Sequence, residues 1–159
     1  MTADGETFEG GCACGQVRYR LTRAPMIVHC CHCTACQRES GTAFAINALI
    51  EASEVETLAD APEAVMTPSE SGRGQQVWRC PACRVAVWSN YGGAKDLIRF
   101  IRCGTLDEAW RITPDIHIFT RSKLPWVRLP EAAHAVEVYY KRADVWPQAS
   151  LDRIAALGL

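Results

Sequence analysis

The chain has 159 residues, 48% of them hydrophobic and 22% charged, with a formal charge of −1 at pH 7. That is the length of one ordinary domain, residues 1–159, able to bury a core without metal for bulk stability, and no apolar run approaches the roughly 18 residues of a membrane span. Basic residues are scattered singly or in pairs such as Lys141-Arg142, the pattern of a solvated face, so nucleic acid is not an expected partner.

Residues 1–10 are polar and acidic, without an apolar core or a basic start, so a secretory leader is not expected and the chain is read as cytoplasmic. Val17, Tyr19 and Leu21 then alternate with Arg18, Arg20 and Thr22, the period of a strand. Residues 42–50 are apolar without charge alternation, which favours a strand covered on both faces over a helix, although periodicity alone does not separate the two. Residues 51–74 are less regular, and Pro68-Ser69-Glu70-Ser71-Gly72-Arg73-Gly74 reads as an exposed loop. The segments 77–80, 85–91, 97–102 and 116–120 are short, rich in β-branched and aromatic residues, and separated by Gly or Pro, so the expected class is mostly β with antiparallel sheets. Only the end reads as helix: Pro147 suits a first helical position, Leu151, Ile154 and Ala155 recur at helical spacing, and Gly158 stops it. Tyr139, Tyr140 and Trp146 precede that helix; they are candidates for a pocket wall, with core packing the commoner use of such residues.

Seven of nine cysteines stand in three clusters, Cys12-Ala13-Cys14, Cys31-His32-Cys33-Thr34-Ala35-Cys36 and Cys80-Pro81-Ala82-Cys83. In a Cys-x-Cys pair on extended chain both side chains share a face, and in Cys-x-x-Cys the chain turns back, so one pair of each kind completes a tetrahedron. Cys12, Cys14, Cys80 and Cys83 are therefore the expected structural zinc ligands. Cys31, Cys33 and Cys36 come from one short segment and lack a fourth partner nearby, the mark of an open site. Two zinc ions per chain follow, and seven thiolates with two such ions bring the net charge to about −4. Disulfides are the competing reading, but a reduced compartment disfavours them. Cys30 and Cys103 read as small buried hydrophobes.

Taken in order, Gly11-Cys12-Ala13-Cys14-Gly15, the central cluster followed by Gly41, Cys80-Pro81-Ala82-Cys83, Gly104-Thr105-Leu106-Asp107, and His117-Ile118-Phe119 with Ser122-Lys123 and Trp126 resemble the glutathione-dependent formaldehyde-activating enzyme family. The likeness runs over about residues 10–127 and leaves residues 128–159 as a C-terminal extension. It implies an Mss4-like fold, with antiparallel sheets around a structural zinc and a second zinc on three cysteines. Two positions depart from the family pattern: Arg84 stands where Gly commonly follows the Cys-x-x-Cys pair, and Gln37 where Arg commonly follows the central cluster.

The resemblance implies a carbon-sulfur lyase type of reaction, in which a thiol, glutathione in the family's case, adds to a small aldehyde such as formaldehyde, or the reverse. An open three-thiolate zinc suits such a reaction by favouring the incoming thiol as thiolate, the reactive form. His117 is the candidate for proton transfer, against a structural role. His32, between two ligands, faces away from the metal if the chain there is extended. Arg38, Arg121 and Lys123 are candidates to meet the carboxylates of glutathione, and each is equally a surface charge. A zinc-stabilised binding module without activity and a thiol redox sensor remain the alternatives.

Overall fold

The computed structural model describes residues 5–94 and 96–159. Along the chain run β1 (Phe8–Gly11), β2 (Arg18–Leu21), β3 (Ile27–Cys31), α1 (Thr34–Ser40), β4 (Ala45–Glu51) and β5 (Val55–Thr57). β6 (Glu63–Thr67), β7 (Gln75–Arg79), β8 (Ala86–Tyr91), β9 (Ile98–Arg102), β10 (Ile116–Ile118) and α2 (Gln148–Ala156) complete the order, with short 3-10 turns between some of them. The strands form a three-stranded sheet, β1-β2-β5, and a seven-stranded sheet, β10-β3-β4-β9-β8-β7-β6. Every pairing is antiparallel except β10 on β3, which is parallel. A mostly β protein with a short C-terminal helix is thus what the chain forms, as expected of an Mss4-like fold, with one parallel edge pairing added.

Alternation decides which residues fill the core. On β2, Tyr19 and Leu21 are fully buried, as is Val17 just before them. Arg18 and Arg20 point out, where Arg18 pairs with Asp107 and Arg20 with Glu9 at 2.6 Å. β3 and β4 lie in the interior of the large sheet, and both are buried along nearly their whole length, as the mostly apolar stretch at 42–50 favours. Their two faces feed two clusters. Val28, Ala48 and Ile50 pack with Tyr19, Leu21 and Trp88 toward the small sheet. Ile27, Cys31 and Leu49 pack with Ile116, Ile118, Trp146 and Ile154 under the C-terminal segment.

The approach of the small sheet is close at its glycines. A Cβ on Gly11 would collide with the Val17 carbonyl, the oxygen that accepts the Cys12 N–H at 3.0 Å. Gly11→Ala is therefore expected to destabilise the protein by about 1–3 kcal/mol, read as a lower melting temperature, because backbone cannot yield there as a flexible side chain would.

α2 begins just after Pro147, whose fixed φ of −58° leads into it, and ends before Gly158 at φ 73°. It is tied down by polar contacts at its buried side. Ser150 Oγ donates to the Met26 carbonyl at 2.7 Å, and Arg153 forms a bidentate pair with Glu51 at 2.7 and 2.5 Å. Both partners of that ion pair are about nine-tenths buried. Removing one leaves the other charge stranded, so Arg153→Ala is expected to cost about 3–5 kcal/mol. Burial alone would raise the Glu51 carboxyl, but the Arg153 hydrogen bonds outweigh it and hold the carboxyl below its ordinary value of 4.5. The pair's contribution is accordingly full above pH 4.5 and is lost as pH falls through the depressed native value. A pH series of melting temperatures, wild type against Arg153→Ala, checks the sign: the gap between them narrows in acid.

α1 was not expected from the sequence. Seven residues long with only Cys36 buried, it carries no apolar period. Its ends explain it: Cys33 caps the first turn by accepting the Cys36 N–H at 3.3 Å, and Gly41, at φ 69°, closes the last by donating its N–H to the Gln37 carbonyl. Among the described residues, no helix is long and apolar enough to cross a membrane.

Candidate functional site

Two sites emerge from the cysteines. The first joins the loop after β1 to the turn between β7 and β8. Cys12 and Cys14 lie with their sulfurs 3.4 Å apart, and Cys14 and Cys80 at 3.7 Å. All four sulfurs of Cys12, Cys14, Cys80 and Cys83 fall within 4.8 Å of one another. Four sulfurs at about 2.3 Å from a tetrahedral zinc are about 3.8 Å apart, so the donor set fits that ion in number, type and spacing. The Cys-x-Cys spacing suggests extended chain at Cys12 and Cys14. Instead β1 stops at Gly11 and the pair converges through a turn in which Gly15 N–H meets the Cys12 carbonyl at 3.2 Å.

Backbone amides support the sulfurs. Val17 N–H donates to Cys12 Sγ at 3.3 Å, and amide hydrogen bonds, that of Val85 first, help bring the Cys83 thiol down to about 6. Arg84 explains its own oddity. It takes φ 63° to close the Cys80–Cys83 turn, with its N–H on the Cys80 carbonyl at 3.0 Å. This is the left-handed region that glycine enters without cost and other residues enter at about 1–2 kcal/mol.

The second site sits on the other face of the large sheet. Cys31 ends β3, Cys33 caps α1, and Cys36 lies one turn into it; all three are buried and their sulfurs mutually lie within 4.8 Å. Among the described residues, no fourth Cys, His, Asp or Glu joins the trio. The hydrogen bond from Cys31, then that from Cys36, holds the Cys33 thiol down at about 3, against burial. Behind the trio runs a buried polar chain: Glu39 accepts from Arg79 at 2.5 Å and Arg102 at 3.0 Å, and Arg102 also holds the Asn47 side chain. The charge of Arg102 is close enough to act on the Cys36 thiol. Thiolate character is thus concentrated on Cys33, while the hydrogen bond from Cys33 and burial push the Cys31 thiol up and the Cys36 thiol also stands raised, at about 12, despite Arg102.

Cys31 and Cys33 open onto a cavity of about 410 Å³. Its walls are aromatic: Tyr91, Phe100, Phe119 and Tyr139, with His29 beside the cysteines. Phe119 stands at φ 56°, ψ 39°, a rare conformation for a non-glycine residue, and such strain concentrates at functional sites. Tyr91 is pushed up by burial and stays a neutral phenol. Glu70, Ser71 and Arg73 of the 68–74 loop form the rim. His29 is itself buried, which brings its ring down to about 4 and keeps it neutral.

The other expected site residues divide. His117 pairs in register with Cys30, whereas Ile118 pairs with Cys31, so His117 projects from the opposite face and does not line the cavity. It joins His32 there, with His32 Nε2 and His117 Nδ1 3.0 Å apart, and Cys30 Sγ lies 3.6 Å from His32 Nε2. That trio has metal-ligand chemistry but not metal geometry. The ring centroids are 5.3 Å apart, longer than the N···N distance by about a ring width, so the nitrogens point head-on. That is a direct N–H···N hydrogen bond; zinc needs about 2.0–2.1 Å to each nitrogen and convergent lone pairs. His32 faces away from the cysteine trio, as expected.

Arg38, on α1, lines a separate shallow groove with Leu124 and Trp126. Lys123 Nζ is held by backbone carbonyls of Val127 at 2.8 Å and Leu124 at 3.3 Å. Arg121 reaches the rim through its ion pair with Glu70 at 2.9 Å. Gln37 turns from the cavity and braces the central loop, donating to the carbonyls of His32 and Ser122 at 2.8 and 2.9 Å. His29, Tyr91 and Arg73 were missed as site residues. His29 was within reach, since His29, Cys31 and Cys33 stand two apart on one segment.

The mostly β fold thus carries a closed set of four thiols and an open set of three beside an aromatic cavity, clusters that could hold metal ions. The chain belongs to the glutathione-dependent formaldehyde-activating enzyme family, whose model matches residues 7–122. Tyr139, Tyr140, Trp146 and α2 lie beyond the matched region. No curated protein matches the chain. A crystal structure of a Rhodobacter sphaeroides protein is similar at 17% identity and a TM-score of 0.46, over 67% of this chain and 91% of that one, too distant a likeness to inform function.

Proposed function

We propose that the protein is a zinc-dependent carbon-sulfur lyase type of enzyme that adds a thiol, glutathione foremost, to a small aldehyde such as formaldehyde, and catalyses the reverse. In the forward step the sulfur-carbon bond forms, the carbonyl π pair moves to oxygen, and the thiol proton ends on that oxygen, giving a hydroxymethyl thioether with no redox change. The single observation that carries the reading is the buried Cys31, Cys33, Cys36 trio opening on a cavity with no fourth ligand among the described residues. Its support is membership of a family described as formaldehyde-activating.

Cys31, Cys33 and Cys36 are assigned to one zinc, and Cys12, Cys14, Cys80 and Cys83 to a structural one. Zinc in the open site supplies an electrophilic position that favours a thiol in its thiolate form. The aromatic walls exclude bulk water from the reacting carbon. Arg73, which lines the cavity and has no carboxylate partner among the described residues, is assigned to a glutathione carboxylate, with Arg121, itself paired with Glu70, as a second candidate. Lys123 and Arg38 do not reach the cavity, and proton transfer by His117 would need a route through the sheet. A substrate of this kind fits a reduced, cytoplasmic setting.

Exchange spectroscopy at equilibrium tests the reading, because the uncatalysed addition is itself facile. The expected result is interconversion of free and hydroxymethylated glutathione faster than in buffer, from protein with two zinc per chain. Zinc-loaded protein that leaves the buffer rate unchanged would exclude this reaction.

A further inference from the structure

Behind the cavity wall at His29 lies a hydrogen-bonded chain from residues that the family match does not cover. Trp146 Nε1 lies 2.8 Å from the Tyr140 hydroxyl, and that hydroxyl lies 2.5 Å from His29 Nε2. Indole N–H is only a donor, so the Tyr140 oxygen accepts from Trp146. Tyr140 can then direct its own hydrogen to His29 Nε2, the acceptor within reach among the described residues. A ring nitrogen that accepts carries no proton, and a neutral imidazole then has its proton on Nδ1. His29 Nε2 is occupied by this bond, while Nδ1 has no protein partner among the described residues, and the ring lines the cavity beside Cys31 and Cys33.

Packing holds the ring as well as the hydrogen bond does. Tyr139 and Tyr140 both meet His29 edge to face, at 6.0 and 5.6 Å between centroids, and stack on each other at 4.8 Å. His29, Cys31 and Cys33 project from alternate positions of one segment, so the imidazole and the trio approach a cavity ligand from the same side.

Resting on the function proposed above, we propose that His29 presents its Nδ1–H to the aldehyde oxygen as a fixed hydrogen-bond donor, and that Tyr140 and Trp146 are positioning residues that set this tautomer. The imidazole remains neutral throughout; it stabilises charge developing on oxygen as the sulfur-carbon bond forms, the task of a preorganised donor. The C-terminal segment thereby completes a site whose sulfur ligands all come from the family-matched region.

Long-range proton-nitrogen correlation spectra of histidine-labelled, zinc-loaded protein read the tautomer directly. His29 is expected to be protonated at Nδ1 alone in the wild type, and Tyr140→Phe, which keeps the ring and removes the hydroxyl, is expected to shift it toward the Nε2–H form. In the exchange assay Tyr140→Phe should lower kcat about tenfold with KM little changed, the usual cost of removing a supporting partner. His29→Leu should lower it about 100-fold, the cost of a lost oxyanion donor. His29→Asn, whose amide N–H stands near the place of Nδ1, should recover about tenfold of that loss. If His29→Leu fails to fold or to hold zinc, the tautomer spectra and Tyr140→Phe decide the matter. Protonation at Nε2 in the wild type, or full activity in both His29→Leu and Tyr140→Phe, overturns the proposal while leaving the parent reaction standing. A wild type with no turnover overturns the parent reaction and this role together.

Discussion

Cys80→Ser is expected to lose one of two zinc equivalents and to melt at least about 8 °C lower than the wild type. Cys80 is completely buried and sits where the β7–β8 turn meets the loop after β1, with its sulfur 3.7 Å from that of Cys14. A serine oxygen there would be a poor zinc ligand and a buried hydroxyl among thiols. Loss of a metal site belongs with the substitutions that cost more than about 4 kcal/mol, and at this size each kcal/mol moves the midpoint by about 2–4 °C. The quartet ties the loop after β1 to the β7–β8 turn beside the apolar packing of Tyr19 and Leu21 on Val28, Ala48 and Trp88. The Gly10 bridge to Leu106 and the Tyr19 hydroxyl on Thr105 at 2.6 Å lie along the same seam. Calorimetry with metal analysis of the same sample checks both halves. Full zinc content with an unchanged midpoint would remove the quartet from the account of stability.

Much of this architecture could be read from the residues because burial is periodic. Tyr19 and Leu21 against Arg18 and Arg20 place β2 without ambiguity, and the mostly apolar stretch before Glu51 favours a strand covered on both faces, though its periodicity alone does not separate strand from helix. The division of cysteines into four and three is equally legible, since spacing controls which sulfurs can converge. What escaped depends on pairings between distant segments. His117 is adjacent in sequence to Ile118, and only the register of β10 on β3, Ile118 with Cys31, decides which of them faces the cavity. Tyr140 reaches His29 across 111 positions, with no local signal to announce it. α1 escaped for another reason: its residues serve the cysteine trio and the Glu39 ion pairs rather than an apolar stripe, so its evidence lies in its caps.

The departures from the family pattern acquire physical meaning in the same way. Gln37 replaces a cation at the edge of the central cluster, yet its amide braces the His32 carbonyl, so the change bears on the rigidity of the cysteine loop and not on the charge of the cavity. Arg84 keeps a glycine-like conformation and offers its guanidinium to Glu63 at 3.3 Å on the surface. The cation that lines the cavity is instead Arg73, beside Glu70, from a loop whose composition had suggested only exposure.

Cys33→Ser is expected to abolish exchange between free and hydroxymethylated glutathione, with the rate falling at least about 100-fold to that of buffer. The variant is informative because serine preserves what Cys33 does for the fold. Cys33 caps α1 by accepting the Cys36 N–H, and serine is among the best residues in that role, so the helix and the positions of Cys31 and Cys36 are retained. What is removed is the thiolate that Cys31 and Cys36 stabilise, and with it the third ligand of the open site. Zinc content should fall from two to one, while the melting temperature moves by only a few degrees, the shift of about 1–2 kcal/mol at this chain length. Cys80→Ser and Cys33→Ser therefore lose the same stoichiometry of metal with opposite weights on stability and activity. Equal loss of stability in both would make the central trio a second structural site. Exchange at the wild-type rate from Cys33→Ser holding a single zinc would move the chemistry away from Cys31, Cys33 and Cys36 altogether, because a cavity that acts without its thiolates cannot be acting through them.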